Sequence, residues 1–464
     1  MDSANFITAI HDWVASLGGI VWGPYCLLPL LVGTGIYLVL GLKFLPWRYI
    51  GPAFMHMWRG RRANEDHSGE LSPFKAMMTC MAATIGTGNI VGVATAIMIG
   101  GPGAVFWMWV TGALGMATKY AEAVLAVKYR EVTPSGDYVG GPMYYIKNGL
   151  GQGWKWMAFL FAVFGMVASF GIGNMTQCNA ITGNLSTAFN IPPEAVAIAL
   201  FVIVGIVLVG GVKRIGDVAG VVVPFMAVAY IILGIVIMFL NYDKVGPAFL
   251  SIFQHAFAPA PAAGGFVGAT IVMAMRYGMA RGLFSNEAGL GSGPIAHATA
   301  ITNNPVRQGF LGMIDPFIDT ILVCSMTAII ILISGDWTAV DRGTAAVMTS
   351  HAFGHALPGM GQYFVAVALV LFAFTTILGW CVYGERCAMY LFGHKALKPF
   401  RLIFTLVVPI GALMELAFVW DLSDLFNGLM ALPNLIALLL LSPVVFKMTR
   451  EYFEKHNRDN MFDE

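Results

Sequence analysis

The chain has 464 residues, 58% of them hydrophobic and 11% charged, and a formal net charge of +1. A soluble domain carries roughly 25% charged residues, so this composition excludes a string of soluble domains, and the near-neutral charge offers no footing for nucleic acid. The length goes instead into repeated apolar stretches of about 20 residues, the thickness of the hydrocarbon core, which predicts an all-α polytopic membrane protein.

Eleven spans are expected, near 22–42, 74–98, 103–127, 154–187, 194–210, 217–241, 264–291, 308–334, 361–391, 400–419 and 423–447. The stretch before the first contains no Lys or Arg, so it does not read as a cleavable signal peptide. The second span, around MTCMAATIGTGNIVGVATAIMIG (78–100), is interrupted in its middle by Gly86-Thr87-Gly88-Asn89. A bilayer gives the backbone no water, so an unwound turn at mid-depth persists only where it lines a cavity or is buried in protein. If a half-helix begins near Gly88-Asn89-Ile90, its free N–H groups and positive dipole end favour a carboxylate. Carbonyls freed around Ala82 and Ile85 suit Na⁺ or an ammonium group. A glycine packing notch is the alternative.

In the third span Lys119 and Glu122 are expected to form a solvated pair near the cytoplasmic end. Gly140-Gly141-Pro142-Met143-Tyr144-Tyr145 is expected in the loop that follows. The fourth span clusters Asn174, Gln177 and Asn179, the first two on one helix face, as interhelical glue or facing a substrate. The seventh contains AMRYGMARGLFSNEAGLGSGP (274–294), with Arg276, Arg281, Glu287 and five glycines, and predicts a second break near residue 280, a cytoplasmic loop over 281–294 being the alternative. Asp315 and Asp319 lie four apart in the eighth span, and intramembrane acids are functional candidates; a salt bridge to Arg276 or Arg281 competes with ion coupling. In the ninth, Phe372-Ala373-Phe374-Thr375-Thr376 offers hydroxyls and carbonyls for Na⁺, against the commoner intrahelical bonding of Thr. Trp380 follows one turn later, as a pocket wall or an interfacial anchor.

With the first span set aside, the two broken segments are the first and sixth of ten. They hold matching positions in two halves of five, and an odd number inverts the second half. Such a pair is a sequence pointer to an inverted-repeat transporter with a midplane site. Alternate loops place 22 basic residues on one side and only Lys244 and Arg342 on the other, with Arg276 and Arg281 inside a span. The N-terminus is therefore expected outside and the C-terminus in the cytoplasm. The expected divisions are 1–73 (N-terminus, extra helix and basic loop), 74–241 and 242–447 (the two repeats), and 448–464 (cytoplasmic tail). Six cysteines, all in apolar spans and without ligand spacing, read as small buried hydrophobes. No HExxH or recurring Ser/His/Asp arrangement suggests an enzyme.

The strings ATIGTGNIVGVATAI, GGPGAVFWMWVTGALGMATKYAEAVLAVKYR, GGPMYYI, RYGMARGLFSNEAGLGSGPIAHA and GMIDPFIDT, spread over most of the chain, resemble the alanine or glycine:cation symporter family of the amino acid–polyamine–organocation superfamily. The resemblance implies a leucine-transporter-like 5+5 inverted repeat with one extra N-terminal helix. It also implies Na⁺-coupled import of a small neutral amino acid across a bacterial inner membrane, with no organic cofactor. Position by position, it implies Thr87, Gly88, Asn89, Gln177 and Trp380 around the substrate, with Tyr277 or Phe284 limiting side-chain size. It implies carbonyls of Ala82, Ile85 and Phe372 with hydroxyls of Thr375 and Thr376 around sodium. Beyond Asn89, nothing stands out to build a second ion site. Glutamine as substrate, proton coupling, or a sensor that binds without transporting stay open.

Overall fold

Because backbone groups inside a bilayer must be paired within the protein, helices run nearly from end to end of this chain. A computed structural model describes residues 3–23, 25–61, 68–261, 268–338, 345–414 and 417–456. The first part contains α1 (Ser3–Val21), α2 (Leu27–Gly41) and α3 (Ile50–Arg59). Then come α4 (Pro73–Thr84) and α5 (Val91–Gly100), separated by a 3₁₀ turn at Thr87–Asn89, and α6 (Gly103–Lys128). A small antiparallel hairpin, β1 (Glu131–Val132) and β2 (Tyr138–Val139), leads into a buried helical turn at Pro142–Tyr145. Next are α7 (Lys155–Phe170) and α8 (Thr176–Phe189), joined by a π turn, then α9 (Pro193–Val209), α10 (Gly211–Leu240) and α11 (Tyr242–Phe257). The remainder holds α12 (Ile271–Asn286), α13 (Gly293–His297), α14 (Pro305–Pro316), a π segment at Phe317–Cys324, α15 (Ser325–Ser334), α16 (Ala345–Ala356), α17 (Gly361–Phe392), α18 (Leu397–Leu413) and α19 (Ala417–Lys455).

Local chemistry sets several of the starts. Ser72 Oγ accepts from Lys75 N at 3.3 Å with Pro73 at the first helical position, and Asn304 Oδ1 accepts from Val306 N at 3.1 Å with Pro305 behind it. Thr270 Oγ1 caps α12 through Met273 N at 3.1 Å.

Each expected span falls on helix, but length and apolarity pick out fewer. Six single helical segments among the described residues are long and apolar enough to cross a membrane, and α4–α5, bent by 56°, makes a seventh. That is short of the expected eleven. Helix α6 is long enough but carries the buried Lys119 and Glu122, α12 has only 16 residues, and α2 and α9 are apolar but short. Helices α1, α3, α11, α13 and α16 lie outside every expected span. Among the charges used for orientation, Arg62, Arg342 and Arg458 lie outside the described residues, as does residues 457–464 of the expected tail.

The second break sits later than the sequence suggested. Helix α12 runs unbroken through Gly278 and Gly282, which are packing notches against α6. A Cβ at Gly278 would lie 2.8 Å from Trp107 Cβ, and one at Gly282 would lie 3.1 Å from Met108 Cα. The chain leaves the helix only at Glu287, whose backbone is left-handed (φ 56°). Gly289 (φ 92°) and Gly291 (φ 84°) then carry it to α13.

Lys119 and Glu122 do not form a solvated pair. Both are buried. Lys119 Nζ meets Asp315 Oδ2 at 2.7 Å, while Glu122 Oε1 accepts from Asn434 Nδ2 at 2.7 Å and Gly289 N at 3.1 Å. Lys119 therefore counts toward a buried pair rather than a basic loop. Arg281 bridges to Asp424 at 2.9 Å, not to either acid of the eighth span.

At one end of the bundle, the segment entering α4 is clasped. Glu70 N and Leu71 N both donate to Thr299 O, at 2.8 and 3.0 Å, and Ile301 N donates to Leu71 O at 2.7 Å. The Arg130 guanidinium donates to the carbonyls of Ser68, Ala298, Ala300 and Thr302 at 2.6–3.0 Å. Arg386 Nη2 reaches Glu70 at 2.9 Å. Burial pushes the Glu70 carboxyl up from its usual range, and Arg386 draws it back.

Removing one member of a buried ion pair leaves an uncompensated charge and costs about 3–5 kcal/mol. Lys119→Met is expected to lower stability by about that amount in detergent, and Lys119→Met/Asp315→Leu to recover most of it. Thermal unfolding of the three proteins checks this, and equal losses in both variants would count against it.

Candidate functional site

The break between α4 and α5 withdraws amides from the helical ladder. In a continued helix Gly86 N would bond Ala82 O and Thr87 N would bond Ala83 O. Here Gly86 N donates to Asn89 Oδ1 at 2.8 Å, and Thr87 N to Gln177 Oε1 at 3.4 Å. The carbonyl of Ala82 is thereby left outside the ladder. Gln177 is held in turn: its Nε2 donates to Thr87 Oγ1 at 3.1 Å and to Ile172 O at 3.0 Å. Its neighbours in the cluster act elsewhere, Asn174 donating to Phe404 O at 2.7 Å and Asn179 to Met414 O at 3.0 Å.

Asn89 is fully committed to the frame. Its Nδ2 donates to Asp319 Oδ1 at 2.5 Å. Asp319 also accepts from Ser285 Oγ at 3.0 Å and Thr320 Oγ1 at 2.7 Å, and is not ion-paired among the described residues. One turn earlier, Asp315 accepts from Thr84 Oγ1 at 2.8 Å while it pairs with Lys119.

Where α17 crosses the break, Thr376 links Phe372 to Ile85, three of the residues suggested for sodium. Thr376 Oγ1 donates to Phe372 O at 2.9 Å and lies 3.4 Å from Ile85 O; Thr375 Oγ1 donates to Phe372 O at 3.0 Å. Ala82, three positions before Ile85, is buried.

A small cavity sits at the break, lined by Thr84, Gly86, Thr87, Gly88, Gln177, Phe284, Glu287, Thr376 and Trp380 among others. Its volume is about 10 Å³, room for about one water, so a larger occupant requires the walls to move. Trp380 is wedged over Gly173, with its indole Nε1 buried on the side of the cavity that Glu287 lines. Phe284 stacks on Trp420 (centroids 5.7 Å apart, 29°) beneath the Arg281 guanidinium, 5.3 Å from the ring centroid. Gly88 faces this wall, where a Cβ would lie 3.0 Å from Ser285 Cα and 3.2 Å from Phe284 Cδ1.

Thus Thr87, Gly88, Gln177, Phe284 and Trp380 share one cavity, and the Asn89 side chain turns away from it. Tyr277 lines a different cavity of about 230 Å³ with Arg276, Arg281, Asp421 and Asp424. Sequence reasoning missed Glu287 as a cavity residue; its Oε2 accepts from Ser292 Oγ at 2.6 Å. An acid within a glycine-rich apolar stretch was the available signal.

A model of the sodium:alanine symporter family matches residues 7–463. The chain is 49% identical to an uncharacterized transporter of Haemophilus influenzae, over 96% of this chain and 97% of that one. It is 46% identical to the sodium/alanine symporter AgcS of Methanococcus maripaludis over 98% of each. Among solved structures, MhsT in complex with L-phenylalanine superposes with a TM-score of 0.56 at 15% identity, covering 82% of this chain and 98% of that one. The fold is therefore the leucine-transporter-like 5+5 inverted repeat.

At Gly86 a Cβ would collide with Thr376 Oγ1, whereas at Gly92, on the same broken helix, it would meet nothing within 4 Å. Gly86→Ala is expected to destabilise the protein by about 1–3 kcal/mol, and Gly92→Ala to leave it unchanged or slightly more stable. Thermal unfolding of the pair checks this.

Proposed function

The chain belongs to the sodium:alanine symporter family, and from that premise we propose that it imports alanine or glycine together with Na⁺ by alternating access. By family and fold this is a multi-pass membrane protein and a secondary transporter. In the proposed arrangement the membrane is the bacterial inner membrane, the N-terminus is outside, and the repeats are 74–241 and 242–447.

The observation that carries the reading is the pair of opposite poles at the α4–α5 break. The Thr87 amide, bonded to Gln177 on the cavity wall at the start of a new helix, suits a carboxylate, with Gln177 giving up its bond to Thr87 N when substrate enters. The unladdered carbonyl of Ala82, the carbonyls of Ile85 and Phe372, and the hydroxyls of Thr375 and Thr376 form an oxygen-only set appropriate to Na⁺. Glu287, on the same cavity, supplies negative potential toward the substrate amine. Phe284 and Trp380 close the space around the side chain, so that glycine and alanine fit and larger residues overlap. Tyr277 belongs to the entry path rather than to this wall. Asn89 acts on the substrate through the backbone that it braces.

Purified protein in proteoliposomes is expected to accumulate labelled alanine transiently under an inward Na⁺ gradient and not in K⁺ alone. Uptake indifferent to Na⁺ would exclude the proposed coupling, and binding without uptake would identify a sensor. A hydrogen-bond-type ligand to a charge is worth about 1.5–3 kcal/mol. Thr376→Ala is therefore expected to raise the half-activating Na⁺ concentration about tenfold or more, with a smaller change in maximal rate. Gly88→Val is expected to abolish uptake while the protein remains folded by circular dichroism.

A further inference from the structure

Away from the break, a further cavity of about 450 Å³ lies between the C-terminal ends of α2 and α19. Close approach of the two helices depends on Gly41, where a Cβ would overlap the Phe446 ring. Beyond α2 the chain reverses through Lys43 and Phe44, two consecutive non-glycine residues in the left-handed region (φ 54° and 58°). Such a backbone is costly and persists only where the surroundings impose it.

The cavity has two chemistries. Its apolar part includes Leu42 and Leu45, both buried, with Phe446 and Phe453. Its rim carries Lys43, Arg48 and Arg450, all exposed and none ion-paired among the described residues. Arg48 is held by the Lys43 carbonyl at 3.5 Å and by the Tyr49 ring, 5.6 Å to the centroid. Among the described residues, Glu454 is the one acidic side chain of the lining. Beside the mouth, Phe44 is 52% exposed and Trp47 45% exposed, as aromatic residues are at the boundary between hydrocarbon and headgroups.

We propose that this cavity binds the phosphodiester headgroup of an anionic phospholipid, with the cationic rim on the phosphate and the lipid's glycerol and upper acyl carbons over the apolar part. Basic pockets between transmembrane helices on the cytoplasmic side recognise anionic headgroups, and the lipid site rests on the proposed orientation, which puts these helix ends on that side. A free phosphate would satisfy the rim but leave the half-buried Phe446 and Phe453 against water. The apolar floor therefore selects the lipid over the free anion, and the rim selects an anionic lipid over a zwitterionic one. The inference does not depend on what the protein transports.

The test is thermal unfolding of the full-length protein in detergent, titrated separately with phosphatidylglycerol, phosphatidylcholine and sodium phosphate. Phosphatidylglycerol is expected to raise Tm saturably while the other two do not. Each cation near the headgroup contributes about a fivefold factor, so Arg48→Gln/Arg450→Gln is expected to raise the half-saturating phosphatidylglycerol concentration at least tenfold. Lys395→Gln/Lys398→Gln, which removes exposed cations elsewhere, is expected to leave it unchanged. Glu454→Gln is expected to lower it. Equal protection by phosphatidylcholine, or protection by phosphate alone, would overturn the proposal, as would an unchanged titration in the double arginine variant. Should that variant not fold, failure of Glu454→Gln to tighten the lipid response would do the same.

Discussion

An amide inside a membrane has to be paired by the protein, and the α4–α5 break turns that requirement into architecture. Two side chains perform the pairing: Asn89 from within the turn itself, on Gly86 N, and Gln177 from α8, on Thr87 N. Without them the segment would close into a continuous helix or expose donors that hydrocarbon cannot satisfy. With them, the carbonyl of Ala82 is released and the cavity has a polar wall. The two braces differ in kind. Asn89 is locked on both ends of its amide, whereas Gln177 stands on the cavity and makes a longer bond of 3.4 Å to the backbone, a contact that a ligand can replace.

Both sides of the break are tied to the same neighbouring element. Asp315, near the end of α14, holds Thr84, the last residue of α4. Asp319, one turn on within the π segment, holds Asn89 and, through Ser285, the end of α12. A π segment has more than the usual spacing per turn and directs side chains where a regular helix would not. Lys119 neutralises the first acid, and three neutral donors hold the second. The two broken segments thus meet a common polar spine, so that displacement of one is felt by the other. This is the mechanical requirement of any transporter in which one set of helices rocks around a fixed site.

The first break was legible because Gly86-Thr87-Gly88-Asn89 interrupts a long apolar run, a local conflict that a simple span would not contain. The second was visible as a glycine-rich charged stretch, but its position was not. Gly278 and Gly282 carry the same local signature as Gly289 and Gly291. Only contact with Ala104, Trp107 and Met108 makes the first two packing notches, and only the left-handed backbone makes the last two a break. Lys119 and Glu122 were misplaced for a similar reason, since nothing in their own sequence reveals Asp315 or Asn434. Gln177 and Trp380 were identifiable as candidates by polarity and size; that they share a cavity with Glu287, and that Tyr277 does not, required the fold.

By itself the sequence determined those properties that depend on composition and local pattern: apolar length, the bias of Lys and Arg among loops, and the broken helix. Each is a one-dimensional consequence of how residues partition between water and hydrocarbon. Tertiary structure decided which glycines bend and which pack, which charges are paired, and which oxygens converge. Those outcomes depend on distances between residues that lie hundreds of positions apart, as with Thr84 and Asp315, or Thr376 and Ile85. No local propensity encodes such distances.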